Sequence, residues 1–166
     1  PWIDLDVPSD PVEIDNVPST LLEALGVEAP VTAGWSSRDV LVQVDSPDAV
    51  AALTPNLEAL RNISARGVIV TAADGDAAEA DFVSRFFAPG VGVPEDPVTG
   101  SAHCALAPFW AKRLDRTTLV GRQVSSRGGT VRVHLEAPDA DRVTLAGQAV
   151  TVFHGTLVGD AEAESG

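Results

Sequence analysis

Apolar positions recur with period two through most of this chain and close around one longer segment, and that pattern predicts the elements. Ile3, Leu5 and Val7 alternate with Asp4 and Asp6, which predicts a strand with one buried face, followed by a connecting loop from Pro8 to Pro18. Thr20 with Glu23 has the spacing of a capping box, and Gly26 stands where a left-handed C-terminal cap falls, so a short helix is expected between them. Asp39 to Val44 predicts a second strand. Ser46-Pro47 is a cap with proline at the first helical position, giving a turn or two of helix over 47–53, and Thr54-Pro55 repeats that signal for a helix to about Ser64. The continuous β-branched run Gly67-Val68-Ile69-Val70-Thr71 predicts a strand buried on both faces. From Ala80 to Ala88, Phe82, Ser84, Phe86 and Ala88 share one face while Val83, Arg85 and Phe87 share the other; aromatics on both sides place this strand inside.

From about Ala102 to Leu114 apolar residues cover nearly the whole circumference, which predicts a helix enclosed by other structure, with a kink at Pro108. Beyond it Val131, Val133 and Leu135 alternate with Arg132, His134 and Glu136, and Arg142–Leu145 and Gln148–Phe153 add two short strands. Strands outnumber helices and no interior repeat or linker is present. The expected fold class is α+β, in one domain over residues 1–159 with 160–166 as a frayed acidic tail.

Composition narrows the functions. The 166 residues are 45% hydrophobic, enough for an ordinary core, and carry a net charge of -13, which opposes attraction to phosphate backbones or anionic lipid; nucleic acid and membranes are not expected partners. One cysteine forms no internal disulfide and no apolar run reaches the roughly 18 residues of a bilayer span, so a cytoplasmic protein is the expectation. The opening Pro1-Trp2-Ile3 lacks both an initiator methionine and a basic leader and enters strand alternation at once, which reads as the continuation of a longer protein.

The segment from Glu95 to Trp110 is the one that carries chemistry. Asp96-Pro97 favours an extended or turn conformation, and Thr99-Gly100-Ser101 then supplies a corner and a cap at the start of the apolar helix. One reading is a plain loop-to-helix junction in which Thr99 or Ser101 caps. The other is a site, in which unpaired N–H groups beside Gly100 hold a substrate carboxylate and Asp96, walled by Phe86 and Phe87, exchanges protons. His103 fits either a general acid or base or a satisfied histidine in a polar corner, and Cys104, inside an apolar helix, fits a small hydrophobe with a raised pKa. Arg85 and Arg127 are candidate anion partners, against the alternative of a hairpin turn at Arg127-Gly128-Gly129. His134 reads as surface. No Gly-x-Ser-x-Gly elbow, dinucleotide fingerprint, P-loop or metal-spaced His/Cys cluster occurs, so neither cofactor nor metal is expected.

Arg85-Phe86-Phe87-Ala88-Pro89, Gly92 and the run from Glu95 to Trp110 resemble the signature of the phenazine biosynthesis PhzF-like proteins, relatives of diaminopimelate epimerase. Ser36-Ser37-Arg38-Asp39-Val40-Leu41-Val42, Ser46-Pro47, Gln123 to Gly129 and Gly147-Gln148-Ala149-Val150 extend the likeness from about Ile3 to about Gly159. The resemblance implies the C-terminal domain of a two-domain protein, each domain a curved mixed sheet wrapped around a central helix, with the active site in the cleft between them and commonly a homodimer. It implies a cofactor-independent isomerase or epimerase acting on a small carboxylic acid, with Asp96 and Ser101 as catalytic residues and Thr99, Gly100 and Ser101 binding substrate. The catalytic glutamate and the Gly-His motif of the family's first domain have no counterpart in these residues, so this half is expected to be inactive without its partner. The epimerase relatives' cysteine pair is also absent, which disfavours two-thiol chemistry. The rival is a non-catalytic module of the same fold that binds a small molecule or another protein.

Overall fold

A computed structural model describes residues 2–75 and 79–156, so the expected acidic tail at 160–166 lies outside the described residues. In chain order the elements are β1 (Trp2–Pro8), β2 (Glu13–Ile14), α1 (Ser19–Leu25), β3 (Thr32–Trp35), β4 (Asp39–Gln43), α2 (Pro47–Ala52), α3 (Leu57–Leu60), β5 (Gly67–Ala73), β6 (Phe82–Phe87), a 3-10 turn (Pro89–Val91), α4 (Gly100–Leu114), β7 (Thr118–Gln123), β8 (Gly129–His134) and β9 (Arg142–Gln148). The strands form one mixed sheet in the order β1-β9-β8-β7-β6-β5-β4-β3-β2. β4 with β5 and β6 with β7 pair in parallel, and the other neighbours pair antiparallel.

The sheet separates two apolar clusters, which accounts for strands that are apolar at every position. Leu41, Ile69, Phe82 and Phe86 face α4 together with Leu119, Val131, Val133, Val143 and Leu145. Their alternates Val40, Val42, Val68, Val70, Val83 and Phe87 pack against Leu21 and Leu25 of α1, Val50 of α2 and Leu60 of α3. α4 is apolar nearly all round because the sheet, the chain after β1 and the β6–α4 connection enclose it; Trp110 stacks on Phe82 at 5.9 Å and meets Phe109 edge-on at 5.3 Å. The Trp110 indole N–H donates to Thr71 Oγ1 at 3.1 Å, tying α4 to β5.

Helix ends follow local chemistry where a side chain reaches the backbone. Ser46 accepts the Ala49 N–H at 3.2 Å and Gly26 closes α1 at φ 73°. Thr20 does not cap α1: the helix begins at Ser19 after Pro18, and the expected capping box falls inside the first turn. Asn56, not Thr54, opens the following helix by accepting the Ala59 N–H at 3.1 Å, so α3 starts later and is much shorter than expected. α4 continues through Pro108. Proline supplies no N–H to the carbonyl four residues back, and that Cys104 carbonyl instead accepts the Asp10 N–H at 3.0 Å, which fixes the chain after β1 against the helix.

Three other expectations are corrected. Ile3 and Leu5 are 50% and 59% exposed, because β1 is the sheet's edge strand beyond the reach of α4. Only one strand, β9, follows β8, and residues 149–153 pair with nothing among the described residues. β2, β3 and β7 were not expected from the alternation.

Candidate functional site

The loop from Phe87 to α4 is drawn into a tight turn by the strand that follows the helix. Asp96 donates its N–H to the Phe86 carbonyl at 3.0 Å, at the end of β6. Gln123, the last residue of β7 and fully buried, receives the Thr99 N–H on Oε1 at 2.9 Å and donates Nε2 to the Asp96 carbonyl at 2.6 Å and to Thr99 Oγ1 at 3.1 Å. Ser125 donates to the Pro97 carbonyl at 2.8 Å and accepts the Gly128 N–H at 3.0 Å, so the β7–β8 hairpin braces the same turn.

These bonds decide between the two readings of Thr99. Its hydroxyl donates to Asp96 Oδ2 at 2.5 Å and therefore does not cap α4. Thr99 is buried and its polar atoms are satisfied within the turn, so it orients Asp96 rather than presenting a free group to a ligand. The expected side-chain cap is overturned for Ser101 too, whose Oγ accepts from Arg66 Nη2 at 3.0 Å. The first helical N–H groups, at Gly100 and Ser101, have no acceptor among the described residues. Gly100 is exposed, and beyond its chain neighbours and its own helix backbone no heavy atom comes within 4 Å of where its Cβ would stand, so there is open space beside those donors.

Asp96 and Ser101 meet different partners at this helix start. Asp96 is half-buried, with Oδ1 free of partners among the described residues. Ser101 instead lines a cavity of about 220 Å³ whose wall includes Asp10, Ser37, Arg38, Arg66 and Cys104. Asp10 accepts the Ser37 N–H at 2.9 Å, and Arg66 donates Nε to Asp39 Oδ1 at 2.9 Å and Nη2 to Oδ2. Burial, and after it the Asp10 carboxylate, push the Cys104 thiol up, so it stays protonated on this wall.

The other candidates have structural work. Arg85 does not wait for an anion: it grips Glu95 through Nε at 2.7 Å and Nη2 at 3.0 Å and donates Nη1 to the Leu53 carbonyl at 2.7 Å, fastening the turn to the end of α2. His103 is not in a polar corner; it is fully buried beside Phe82 and Gly121, with Nδ1 donating to the Thr99 carbonyl at 2.8 Å and Nε2 unpartnered. Desolvation holds its pKa below the ordinary histidine value. Arg127 lies beside the hairpin glycine Gly128 at φ 68°, and His134 is exposed. Among the described residues no group of three His, Cys, Asp or Glu gathers to hold a metal, and no helix is long and apolar enough to cross a membrane.

Sequence reasoning missed Gln123, Asp39 and Arg66. Gln123 meets the turn from the end of β7, and Arg66, held by Asp39, meets it from beside β5, while each reads locally as the end of a strand or a charge beside one.

The family profile of phenazine biosynthesis-like proteins matches residues 12–155. The chain belongs to this family. It is 44% identical to an uncharacterised isomerase of Halalkalibacterium halodurans over 95% of its own length and 58% of that protein's. To an uncharacterised isomerase of Pseudomonas aeruginosa it is 46% identical, over 92% of its length and 56% of that protein's. The crystal structure of a PhzF family phenazine biosynthesis protein from Enterococcus faecalis superposes with a TM-score of 0.80 at 37% identity, over 88% of this chain and 54% of that one. This phenazine biosynthesis-like chain thus spans little more than half the length of the relatives it matches, and the turn from Asp96 to Ser101 lies within the matched region.

Proposed function

We propose that this chain is the C-terminal half of a PhzF-like isomerase or epimerase that moves a proton on a small carboxylic acid without a cofactor. The observation that carries the reading is the open start of α4: the residue placed to cap it, Thr99, is bound to Asp96 instead, and the Gly100 and Ser101 N–H groups have no acceptor among the described residues, beside the open space at Gly100. Such donors, backed by the helix dipole, suit a carboxylate without a cationic side chain. In this reading Gly100 and Ser101 bind that carboxylate and Asp96, steadied by Thr99, polarises the substrate through its unpartnered oxygen. The proton-moving base belongs to a preceding N-terminal half, so the 166 residues alone are inactive. The sheet would curve around α4 as in diaminopimelate epimerase-like domains, with residues 1–159 as one domain and 160–166 as an acidic tail, in a cytoplasmic homodimer. Relatives named isomerases, spanned over more than half their length, support the activity.

The test is solvent-deuterium incorporation into a panel of α-substituted carboxylic acids by the two-domain protein. Asp96→Asn is expected to slow incorporation about 100-fold or more with the fold intact, within the usual reach of a positioned acid or base. Unchanged incorporation overturns the role of Asp96.

A further inference from the structure

Arg66 is held more firmly than an ordinary surface arginine. Asp39, at the start of β4 and 1% exposed, takes its Nε and one Nη2 bond. The Phe86 ring lies under the guanidinium at 5.4 Å, and Gly67 makes room for that ring, since a Cβ there would stand 2.3 Å from Phe86. The Arg66 N–H also donates to the Arg38 carbonyl at 2.8 Å, fixing the backbone from which the side chain departs. All this order converges on one further contact, Nη2 to Ser101 Oγ at 3.0 Å, on the wall of the 220 Å³ cavity.

A guanidinium only donates, whereas a serine hydroxyl both donates and accepts. The bond from Arg66 therefore occupies a lone pair of Ser101 and leaves its proton to be given elsewhere. Building on the reading of Gly100 and Ser101 as the carboxylate site, we propose that Arg66, pinned by buried Asp39, is a positioning residue that sets Ser101 as a hydroxyl donor to the bound carboxylate. The site then offers three donors, two from the backbone and one from the side chain. Without Arg66 the hydroxyl is free to rotate among its staggered positions and to bond nearby backbone instead. The ligand class is a carboxylate small enough to reach the helix start, and Arg66 acts on it through Ser101.

The experiment is a titration of the ¹⁵N-labelled chain with sodium acetate, against sodium chloride at equal ionic strength, following the Gly100 and Ser101 amide resonances. Arg66→Gln alone leaves Asp39 buried and unpaired, so it is compared with the double variant Arg66→Gln/Asp39→Asn, which removes both charges at nearly constant volume. Acetate is expected to shift both amides in the parent chain. The double variant should keep the parent's dispersed spectrum and bind acetate about tenfold more weakly, the worth of one hydrogen bond to a charged group. Ser101→Ala should lose the same factor, and combining it with the double variant should lose nothing more. A merely structural role would not give that non-additivity. Equal acetate affinity in the double variant, or losses that add, overturns the positioning role while the carboxylate reading stands. No response of Gly100 and Ser101 in the parent chain overturns both.

Discussion

Residues whose type promised chemistry divide according to what their polar atoms meet. His103 and Asp96 are both close to Thr99, yet one is sealed in the core and the other keeps a free oxygen. Nδ1 of His103 is committed to the Thr99 carbonyl and Nε2 faces apolar surroundings, so a second proton would be buried without an acceptor. Its folded pKa is depressed, so between that value and the ordinary value of about 6.5 the unfolded chain binds the extra proton and the folded one does not. Its contribution is complete above about pH 6.5 and is lost as pH falls through the window below. Urea unfolding at a series of pH values should show stability declining from about pH 6.5 downward in the parent chain, with that part of the slope flattened in His103→Gln. An identical slope in the variant would refute the assignment. The sequence marks His103 as titratable, but only its neighbours settle that it is no proton carrier.

At the scale of elements, the functional turn is held less by its own residues than by β7. Gln123 satisfies the Thr99 N–H and the Asp96 carbonyl from the end of the strand beside β6, so its removal orphans the buried Thr99 N–H and the half-buried Asp96 carbonyl. Gln123→Ala is expected to cost at least about 1–3 kcal/mol in urea unfolding, the usual penalty for an unsatisfied buried group, and to speed exchange of the Thr99 amide. Retained Thr99 protection would show that the turn stands without the clamp. The strand that carries Gln123 was hidden in the sequence for a physical reason. Gly121 interrupts its alternation, and it does so because a Cβ there would stand 2.5 Å from the Phe82 ring. β3 was hidden in the same way by Gly34, where a Cβ would meet the Glu13 carbonyl of β2 at 2.3 Å. Close packing removed the side chains from which the alternation is read. Where alternation survived, as in β6 and β8, or β-branched residues ran together, as in β5, the strands were legible and their faces correctly expected.

Across the whole molecule, equal patterns receive unequal burial. Leu5 and Leu145 are direct partners across β1 and β9, yet Leu5 is 59% exposed and Leu145 6%, because β1 lies at the margin of the sheet. In this chain Leu145→Ala should cost about 2–5 kcal/mol and Leu5→Ala less than about 1 kcal/mol, read from paired denaturant curves. Equal costs would mean that β1 is covered as fully as its partner. By itself the sequence determined the local matters: strands where β-branched residues alternate or run together, the cap at Ser46, the turn at Gly26, the all-round apolar helix, and a family signature dense enough to mark Asp96, Gly100 and Ser101 as the candidate site. Tertiary structure alone decided which edge of an alternating strand stays uncovered, that Thr99 orients Asp96 instead of capping, and that Gln123 and the Asp39-pinned Arg66 reach the turn from 24 and 35 positions away along the chain. The reason is that capping and alternation act over three or four residues, whereas burial and hydrogen-bond partners depend on which strands the sheet brings side by side.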